Sequence, residues 1–409
     1  MTKPPVPLPA ARDRPPPLLP GVTVLQVIPE LSAGGAERTV LEVTEALTAA
    51  GARSLVASEG GRLEPALERL GGTHILMPLK TKSPVAMLRN RRALIALARR
   101  EGVDLIHARS RAPGWSALMA ARTLGLPFVT TYHGAYSGET ALKRYYNSVM
   151  ARGDVTIANS EWIADHVRQV HHVPDANLVT IPRGIDTSVF DPARFGAAAR
   201  RDVRQDLGLP QSRADDSDLL LLLPGRLTAW KGQRVAIAAL ARLPDPLRAR
   251  CHLVLVGDAQ GRDAYRETLI ADIAAADLQD RVKIEPHRAD LPRLLAAADI
   301  VLAPSTRPEA FGRTAPEASA MARPVIATSH GGALETVVDG VTGHLVPPGD
   351  AQALAGTLAR LADLPPQARA EMGAAGRAHV LSRFTKRSLQ EATLGVYSRL
   401  LSRGERGTA

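Results

Sequence analysis

Short apolar runs alternate along this chain with longer stretches in which apolar residues recur at helical spacing. The first run, Val22 to Ile28, predicts a strand, and residues 36–49 after the next loop predict a helix. The further runs of the first half are Leu55–Ala57, Ile75–Met77, Leu105–Ile106, Phe128–Thr131, Val155–Ala158 and Val179–Ile181. Strands that alternate with helices indicate a parallel sheet with helices on both faces.

The pattern breaks after Ile185 and then starts again. Residues 190–218 contain Arg, Asp and Pro with little strand signal, and we expect a linker there. The apolar runs of the second half are Leu219–Leu223, Leu253–Val256, Val282–Ile284, Ile300–Ala303, Val325–Ala327 and Gly343–Val346. The expected fold class is therefore α/β, with two doubly wound, Rossmann-like domains whose strands point their carboxyl ends into a shared cleft.

These breaks suggest domain boundaries. The predicted parts are a disordered Pro-rich tail over 1–20, a first domain over 21–190, a linker region over 191–217 and a second domain over 218–385. The tail lacks the continuous apolar segment of a signal peptide. Residues 386–409 are predicted to form a final helix, for which packing back on the first domain is one arrangement.

The composition is that of a globular protein with an anionic partner. Of 409 residues, 45% are apolar and 22% are charged, and this length favours two cores. The net charge of +10 indicates a nucleotide, an anionic lipid or nucleic acid, although an aromatic content of 3% argues against stacked bases. The single Cys251 excludes an internal disulfide and indicates a reducing cytosol. No apolar run approaches the ~20 residues of a spanning helix.

Residues 307–317 carry the most informative motif, R-P-E-A-F-G-R-T-A-P-E. A predicted strand ends just before it and a helix begins within it, so that Glu309 and Glu317 stand on either side of a strand-to-helix loop. Free N–H groups at the start of a helix bind phosphate, and carboxylates accept hydrogen bonds from sugar hydroxyls. The layout favours a nucleotide-sugar. The alternatives are that Glu317 only complements the helix dipole and that Glu309 is simply exposed.

Two cations follow the strongest strand of the second half. Arg226 and Lys231 lie in the loop Gly225–Gly232, at a carboxyl end where ligands bind. There they would neutralise a departing diphosphate, a task that other enzymes give to a metal; a solvated basic loop is the equally weighted alternative. No Cys/His cluster has metal-ligand spacing, and the D-x-D pattern Asp216-Ser217-Asp218 precedes a strand. We interpret that pattern as a solvated loop and predict no metal site.

Three strand ends of the first half carry further candidates. Gly34 and Gly35 close the first strand, where glycines admit a ligand close to the backbone, and a structural turn is an equal alternative. The G-x-G-x-x-G fingerprint is absent there, which weakens a nicotinamide-cofactor interpretation. His133 ends another strand, with a structural and a functional role evenly weighted. Arg109 and Arg111 follow a third strand and offer two more cations.

A basic run without an acidic residue extends from Lys80 to Arg100. Its helical spacing with apolar residues permits a basic amphipathic surface for anionic lipid, and Arg89, Arg91 and Arg92 are its central cations. The plainer alternative is a solvated helix face. The basic run leaves nucleic acid open as an alternative, but aromatic residues that would stack on bases are scarce, and we predict no nucleic-acid partner.

The ordered set of motifs resembles the retaining glycosyltransferases of family 4, which have the GT-B fold. The matching segments are, in chain order, Gly34–Gly35, His133, Gly225–Gly232, the E-x7-E element Glu309–Glu317, Gly331–Gly332, Glu335 and Val338–Val346. The resemblance covers the chain from about residue 22 onward. It implies transfer of a sugar from a nucleotide-diphosphate sugar with retention at the anomeric carbon, without a cofactor and without a metal.

The resemblance also implies roles for the matching residues of the second domain. Arg226 and Lys231 would hold the donor diphosphate. Glu309 would contact the donor-sugar hydroxyls, and Glu317 the ribose. The donor phosphate and sugar would meet the backbone amides of three consecutive residues, Phe311, Gly312 and Arg313.

In the first domain, the resemblance places His133 against the donor sugar, and Gly34 with Gly35 against the phosphate or the acceptor. The chain departs from the family at Arg183, because many members have Ile-Pro-Asn-Gly where this chain has Ile-Pro-Arg-Gly. The usual role of that asparagine therefore does not carry over. Residues 107–136 contain segments that look like those of bacterial envelope-polysaccharide members.

The implied acceptor is a lipid-linked or lipopolysaccharide-core glycan. The enzyme would be cytoplasmic and peripherally associated with the inner face of the cytoplasmic membrane, through an anionic membrane surface. Arg109, Arg111 and the basic run around Arg89 are assigned to the acceptor or to the membrane. The alternatives are a GT-B-fold sugar-nucleotide epimerase and a basic module that binds a membrane surface or nucleic acid.

Overall fold

The computed structural model describes residues 19–32, 34–136, 140–209 and 218–405. The chain divides into two compact units: the first combines residues 1–184 with 386–409, and the second comprises residues 185–385. Residues 1–18 of the predicted tail and residues 210–217 of the predicted linker lie outside the described residues.

The first unit is built on a seven-stranded parallel sheet in the order β3-β2-β1-β4-β5-β6-β7. Its strands are β1 (Thr23–Val27), β2 (Arg53–Ser58), β3 (Thr73–Leu76), β4 (Leu105–Ala108), β5 (Phe128–Tyr132), β6 (Val155–Ala158) and β7 (Leu178–Thr180). Its helices before residue 184 are α1 (Gly35–Ala49), α2 (Glu64–Arg69), α3 (Pro84–Glu101), α4 (Arg111–Leu124), α5 (Ala141–Asn147) and α6 (Glu161–His171), with 3₁₀ helices at Ser148–Ala151 and Asp175–Asn177. The winding reverses between β1 and β4, which makes this pair the switch point of the sheet.

The second unit has a six-stranded parallel sheet in the order β10-β9-β8-β11-β12-β13. Its strands are β8 (Leu219–Pro224), β9 (Cys251–Val256), β10 (Val282–Glu285), β11 (Ile300–Ala303), β12 (Val325–Thr328) and β13 (Gly343–Val346). Its helices are α7 (Ala197–Asp206), α8 (Gln233–Ala241), α9 (Asp245–Arg248), α10 (Asp263–Ala275), α11 (Leu291–Ala297), α12 (Thr314–Ala320), α13 (Ala333–Thr336), α14 (Ala351–Asp363) and α15 (Pro366–Arg383), with 3₁₀ helices at Pro192–Arg194 and Ala229–Lys231.

Strand β8 shows why these strands are continuous apolar runs. Leu219, Leu221 and Leu223 pack into one hydrophobic cluster, and Leu220 and Leu222 pack into another. Side chains of a strand alternate between the two faces of a sheet, and a parallel sheet covered by helices on both sides has no polar face. The predicted α/β class, with a doubly wound parallel sheet in each unit, is confirmed.

The last helix, α16 (Lys386–Glu405), belongs to the first unit. Its Leu389 and Tyr397 are buried in the same hydrophobic cluster as Val24 of β1. At its start, the ammonium group of Lys386 lies 3.0 Å from a carboxylate oxygen of Glu45 on α1. The chain therefore leaves the first unit at residue 184 and returns to complete its core.

The prediction of a linker over 191–217 needs correction. Residues 185–209 belong to the second unit, where α7 packs against α11. Val203 of α7 and Leu207, which directly follows the helix, are both buried. The Arg and Asp residues of its outer side hid these two apolar positions, which are four residues apart and share one face of a helix. The boundary between the units lies between residues 184 and 185.

Candidate active site

In the second unit, the two strands at the switch point end beside each other. β8 and β11 are neighbours in the sheet. β8 leads into the loop 225–232, and β11 leads into the loop 304–313. Ligands of doubly wound sheets bind beyond the carboxyl ends of the strands at such a point.

An ion pair joins these two loops. The Lys231 ammonium group donates a 2.8 Å hydrogen bond to Glu309 Oε2, and the two side chains are only 13% and 18% exposed. Ser305 Oγ donates to the other carboxylate oxygen at 2.5 Å, and the ammonium group lies 4.8 Å from the centroid of the Trp230 ring. Lys231 is thus not a solvated lysine, and Glu309 is not simply exposed. Arg226 extends an exposed side chain from the same loop as Lys231.

Glycines let the loops of this site approach one another backbone to backbone. Gly232 has a φ of 79°, and a Cβ there would lie 1.9 Å from the carbonyl oxygen of Pro304. A Cβ on Gly331, where φ is 60°, would lie 2.4 Å from the carbonyl oxygen of Glu309. The Gly332 N–H donates to that same carbonyl at 2.9 Å. Since no side chain fits at these positions, the glycines hold the backbone that carries Glu309.

The remaining candidates of this unit surround the start of α12. Glu317 is buried, and Arg313 Nε donates to its Oε1 at 3.0 Å. Gly312, with a φ of 75°, turns the chain toward the helix. The Phe311 side chain belongs to the core, where it packs edge-to-face against Phe384 at 5.6 Å. Phe311 therefore offers a ligand only its backbone, and the first N–H groups of α12 have no acceptor within the helix.

A cavity opens between the loops of this unit. Ser305, Glu309, Gly312, Thr314 and His330 are among its lining residues. His330 Nε2 lies 2.8 Å from the carbonyl oxygen of Ser305, and a carbonyl only accepts, so this nitrogen carries a proton. Sequence reasoning missed Ser305 and His330, because their roles depend on loops that meet only in the folded unit. The cavity combines a fixed carboxylate with hydroxyl groups, which suits a ligand rich in hydroxyls.

In the first unit, Arg183 links two of the candidate residues. It follows β7 and is 8% exposed. Its guanidinium donates to the carbonyl oxygen of Gly35 and, at 3.2 Å, to Thr39 Oγ1. It also lies 3.2 Å from His133 Nδ1. Gly34 is the N-cap of α1, so this arginine holds the glycine loop and the histidine together.

Arg109 and Arg111 are both held by partners inside the first unit. Arg109 is 2% exposed and donates to Gln26 Oε1 at 2.6 Å. Arg111 donates to Asn147 Oδ1 at 2.8 Å, and its guanidinium lies 4.1 Å from the centroid of the Tyr136 ring. The sequence assigned both residues to the acceptor or the membrane. Burial excludes a membrane contact for Arg109, because its charged group does not reach the surface.

Arg109 instead lines a cavity of the first unit, together with Thr131, His133, Asn159 and Arg183. Burial, and after it the guanidinium groups of Arg183 and Arg109, hold the pKa of His133 well below its usual value. The imidazole is therefore neutral at pH 7. The cavity presents a neutral histidine beside two buried cations.

Helix α3 carries the basic run, and only part of that run faces the solvent. Arg89 and Arg92 are exposed, beside Val85 at 62% and Leu88 at 50% exposure. Arg91 is half-buried and donates to a threonine hydroxyl of α4 at 3.1 Å, so it does not belong to the exposed surface predicted for it. Over the described ranges, no helix combines the length and apolarity needed to cross a membrane.

Sequence reasoning missed a second exposed apolar surface, on α5. Leu142 is 79% exposed and Tyr145 is 58% exposed. The Arg152 guanidinium lies 5.0 Å from the Tyr145 ring, which stacks on Trp115 at 5.2 Å. The signal was a segment, Leu-Lys-Arg-Tyr, that mixes apolar and basic residues, but it is too short to show a helical period.

In the part of the chain that the structure describes, no three His, Cys, Asp or Glu side chains are grouped as metal ligands. Asp216 and Ser217 of the D-x-D pattern lie outside the described residues. Asp218 directly precedes β8. It therefore stands at the amino end of a strand whose carboxyl end carries the candidate site.

Two family models match the chain. Residues 33–189 match Glycosyltransferase Family 4, and residues 207–379 match Glycosyl transferases group 1. The D-inositol 3-phosphate glycosyltransferase of Xylanimonas cellulosilytica is 32% identical over 323 residues, which are 73% of each protein.

Solved structures of similar proteins extend the match to nearly the whole chain. A glycosyltransferase from Rickettsia africae is 32% identical with a TM-score of 0.85, and the match covers 93% of this chain and 99% of that one. The Anabaena protein HepE in complex with UDP-glucose is 27% identical with a TM-score of 0.79, over 92% of this chain and 99% of that one.

Proposed function

The chain belongs to glycosyltransferase family 4 and has the GT-B fold, and from this premise we propose that it moves a sugar from a nucleotide-diphosphate sugar to a glycan acceptor with retention at the anomeric carbon. The observation that carries this proposal is the Lys231–Glu309 ion pair at the switch point of the second sheet. A cation for the leaving phosphate and a carboxylate for sugar hydroxyls are held there side by side.

The donor diphosphate would bind to Lys231 and Arg226. Their charges would stabilise the negative charge that grows on the leaving diphosphate as the glycosidic bond breaks. Glu309 already fixes the position of the Lys231 side chain, so this side chain loses little conformational entropy when the donor binds. The complex of HepE with UDP-glucose supports a nucleotide-sugar as the donor class.

The carboxylates would recognise the two ends of the donor. Glu309, held by Lys231 and Ser305, would accept hydrogen bonds from hydroxyls of the donor sugar. Glu317 would accept from the ribose hydroxyls, with Arg313 fixing its orientation through the 3.0 Å hydrogen bond. A ribose contact is made equally in the ground state and in the transition state, so it contributes to donor affinity more than to turnover.

The reaction would proceed without a metal and without a protein nucleophile. We assign no residue as nucleophile, and the leaving diphosphate itself would take the proton of the acceptor hydroxyl on the same face of the sugar. His133, which the resemblance places against the donor sugar, would act as a neutral hydrogen-bond donor.

For the acceptor, we propose a lipid-linked or lipopolysaccharide-core glycan at the inner face of the cytoplasmic membrane. The support is the surface of α3, where the exposed Arg89 and Arg92 lie beside the exposed Val85 and Leu88. Basic residues next to apolar residues bind anionic lipid through charge and shallow insertion. Such docking would bring the catalyst to an acceptor embedded in the membrane while the donor arrives from solution.

A second candidate acceptor is a small phosphorylated polyol. The observation that favours it is the name of a relative, D-inositol 3-phosphate glycosyltransferase, at 32% identity. An acceptor assay with free inositol 3-phosphate, and in parallel with extracted lipid-linked glycan, separates the two candidates.

The decisive experiment is a thermal-shift panel of UDP-, GDP- and ADP-sugars followed by an assay for released nucleotide. A donor at about 100 times its dissociation constant adds roughly 2.7 kcal/mol of apparent stability. Released nucleoside diphosphate together with a glycosylated acceptor supports the transferase. Isomerised nucleotide-sugar with no acceptor product would identify an epimerase, and the absence of any stabilisation by all three donors would leave the binding-module alternative.

A further inference from the structure

In the contact between Arg183 and His133, the hydrogen bond has only one direction, from arginine to histidine. Arg183 Nη2 lies 3.2 Å from His133 Nδ1, and the same guanidinium is anchored on the carbonyl oxygen of Gly35 and on Thr39 Oγ1. An arginine side chain carries donors and no acceptor. The histidine nitrogen that faces it must therefore present a lone pair.

A neutral imidazole with a lone pair on Nδ1 carries its only proton on Nε2. A protonated ring would aim an N–H of His133 at the N–H groups of Arg183. Burial opposes such protonation first, and it lowers the pKa of His133. The guanidinium groups of Arg183, which follows β7, and Arg109, which follows β4, add to this effect. Two further titratable groups near the ring are His107 of β4 and Tyr136, which lies in the loop of His133. Among the described residues that line the cavity beside His133, none is a carboxylate.

The Nε2 atom of His133 is buried, and it has no hydrogen-bond partner among the described residues. Buried N–H groups without an acceptor are rare in folded proteins. His133 lines a cavity with Thr131 and Asn159, and the amide oxygen of Asn159 is likewise buried without a hydrogen-bond partner among the described residues. One donor and one acceptor that face a cavity match a hydroxyl group, which both accepts and donates.

We infer that Arg183 is a positioning residue, which holds His133 as the neutral Nε2–H tautomer so that this N–H donates to a hydroxyl of the bound sugar. The inference rests on the proposed function for the identity of the ligand, but the tautomer itself does not depend on it. The side chain of arginine is longer than that of the asparagine that many family members have at this position. Arg183 reaches from the loop after β7 to the glycine loop and to the His133 ring at the end of β5.

The tautomer is measured on the unliganded protein. Histidine labelled with ¹⁵N gives distinct nitrogen and carbon-proton correlation patterns for the two neutral forms, and the signal of His133 is identified by its loss in His133→Gln. At pH 7.5 we expect the Nε2–H pattern in the wild type. A Nδ1–H pattern in the wild type overturns the inference without any variant.

The variants then test whether Arg183 is the cause. Arg183→Met keeps an unbranched chain and removes the donors, so His133 should lose its fixed tautomer, while Arg183→Lys should preserve it. The exposed Arg242, which donates to the carbonyl oxygen of Ala238, provides the control variant Arg242→Met. An unchanged Nε2–H pattern in Arg183→Met overturns the inference.

The pH dependence of kcat/KM for sugar transfer separates this inference from the proposed function. Burial, and after it Arg183 and Arg109, hold the pKa of His133 low. Arg183→Met removes one of these two cations, so the pKa should rise and an acid limb should appear in kcat/KM. Arg183→Lys should keep the wild-type profile. A fixed tautomer in a protein that transfers no sugar contradicts the proposed function alone, whereas transfer with a profile unmoved by Arg183→Met contradicts the role of Arg183.

Discussion

The ammonium group of Lys231 lies 2.8 Å from a carboxylate oxygen of Glu309, although 78 residues separate the two along the chain. The pair connects the loop after β8 with the loop after β11, at the point where the second sheet reverses its winding. Each side chain is mostly buried, so neither charge is satisfied by water alone. A change at one residue therefore alters the environment of the other, and variants of the two have to be interpreted together.

Replacing Lys231 or Arg226 with Ala should reduce kcat by on the order of 10²-fold or more, because each removes a cation from the leaving diphosphate. Lys231→Ala should also lower the melting temperature modestly, since it leaves Glu309 without its cation. Arg226 is exposed, so Arg226→Ala should leave the melting temperature unchanged. The measurement is steady-state kinetics with calorimetry, and exposed Arg242→Ala serves as the control for lost charge.

A double variant distinguishes a structural ion pair from a catalytic one. Lys231→Met combined with Glu309→Gln removes both charges, and the coupling between contacting residues is typically 0.5–3 kcal/mol. The double variant should be more stable than Lys231→Met alone, whereas its kcat should be no higher than that of either single variant. Recovery of turnover along with stability would mean that the pair only supports the fold.

Glu309→Gln and Glu317→Gln should fail in different ways. Glu309 would face the sugar whose anomeric carbon becomes positively charged, so loss of its charge should lower kcat strongly. Glu317 would hold the ribose, so its loss should mainly raise the donor KM. Initial rates over a range of donor concentrations separate the two effects. Equal losses of kcat with an unchanged KM would contradict the ribose assignment.

Activity should survive EDTA. The described residues contain no group of metal-ligating side chains, and Asp218 stands at the amino end of β8, away from the candidate site. The test compares turnover before and after chelation with an excess of EDTA, followed by addition of Mg²⁺ or Mn²⁺. Loss of turnover that either ion restores would contradict the prediction and would support the D-x-D pattern as a metal site.

The exposed surface of α3 should bind anionic vesicles. Changing Arg89 and Arg92 together to Ser should remove about 1 kcal/mol of membrane-binding free energy per residue. For the two residues together, this loss corresponds to a roughly 30-fold lower partition coefficient into the vesicles. High salt should weaken binding as well, because exposed charges are screened beyond about 8 Å at physiological ionic strength. Co-sedimentation with vesicles that contain phosphatidylglycerol measures both effects.

The matched control changes two exposed arginines of the second unit, Arg242 and Arg262, to Ser. This variant has the same net charge as the α3 variant and should bind vesicles like the wild type. Equal losses in the two variants would indicate a general effect of net charge. Binding that neither salt nor the α3 change affects would identify α3 as an ordinary solvated helix.

The first unit should lose stability as the pH falls below about 6.5, the ordinary histidine pKa. Burial, and then Arg109 and His133, hold the pKa of His107 well below that value, because the ring is enclosed between Tyr397 and Thr131. The unfolded chain therefore binds a proton that the folded protein does not, and such a site contributes a slope of about 1.4 kcal/mol per pH unit between its two pKa values.

The measurement for this acid sensitivity is urea unfolding at several values between pH 8 and pH 5. His107→Gln should be less stable than the wild type at pH 8, yet its stability should fall less steeply toward acid. The control is His287→Gln, at an exposed position. Parallel pH dependences of wild type and His107→Gln would contradict the assignment of a buried neutral histidine.

Much of the fold was accessible from the pattern of apolar residues. A parallel strand that is covered on both faces consists of consecutive apolar residues, as in β8, and such runs stand out from the amphipathic helices between them. The motifs at strand ends were also predictable in position, because doubly wound sheets bind ligands at carboxyl ends. α7 escaped detection, since its buried Val203 and the buried Leu207 that follows it are surrounded by charged residues.

By itself, the sequence determined the α/β class, the two sheets and the chemical type of the candidate residues, because these follow from local periodicity and from side-chain chemistry. Only the tertiary structure decided which of those residues act on one another. Lys231 with Glu309, and Arg183 with His133, are contacts between loops that follow different strands, and Tyr397 reaches His107 from a helix at the far end of the chain. Arg109 was predicted as a cation for the acceptor or the membrane, and the fold buries it in the interior. Burial also makes His133 neutral. Residue type alone does not decide this, because the cost of a charge depends on the surroundings that the whole fold creates.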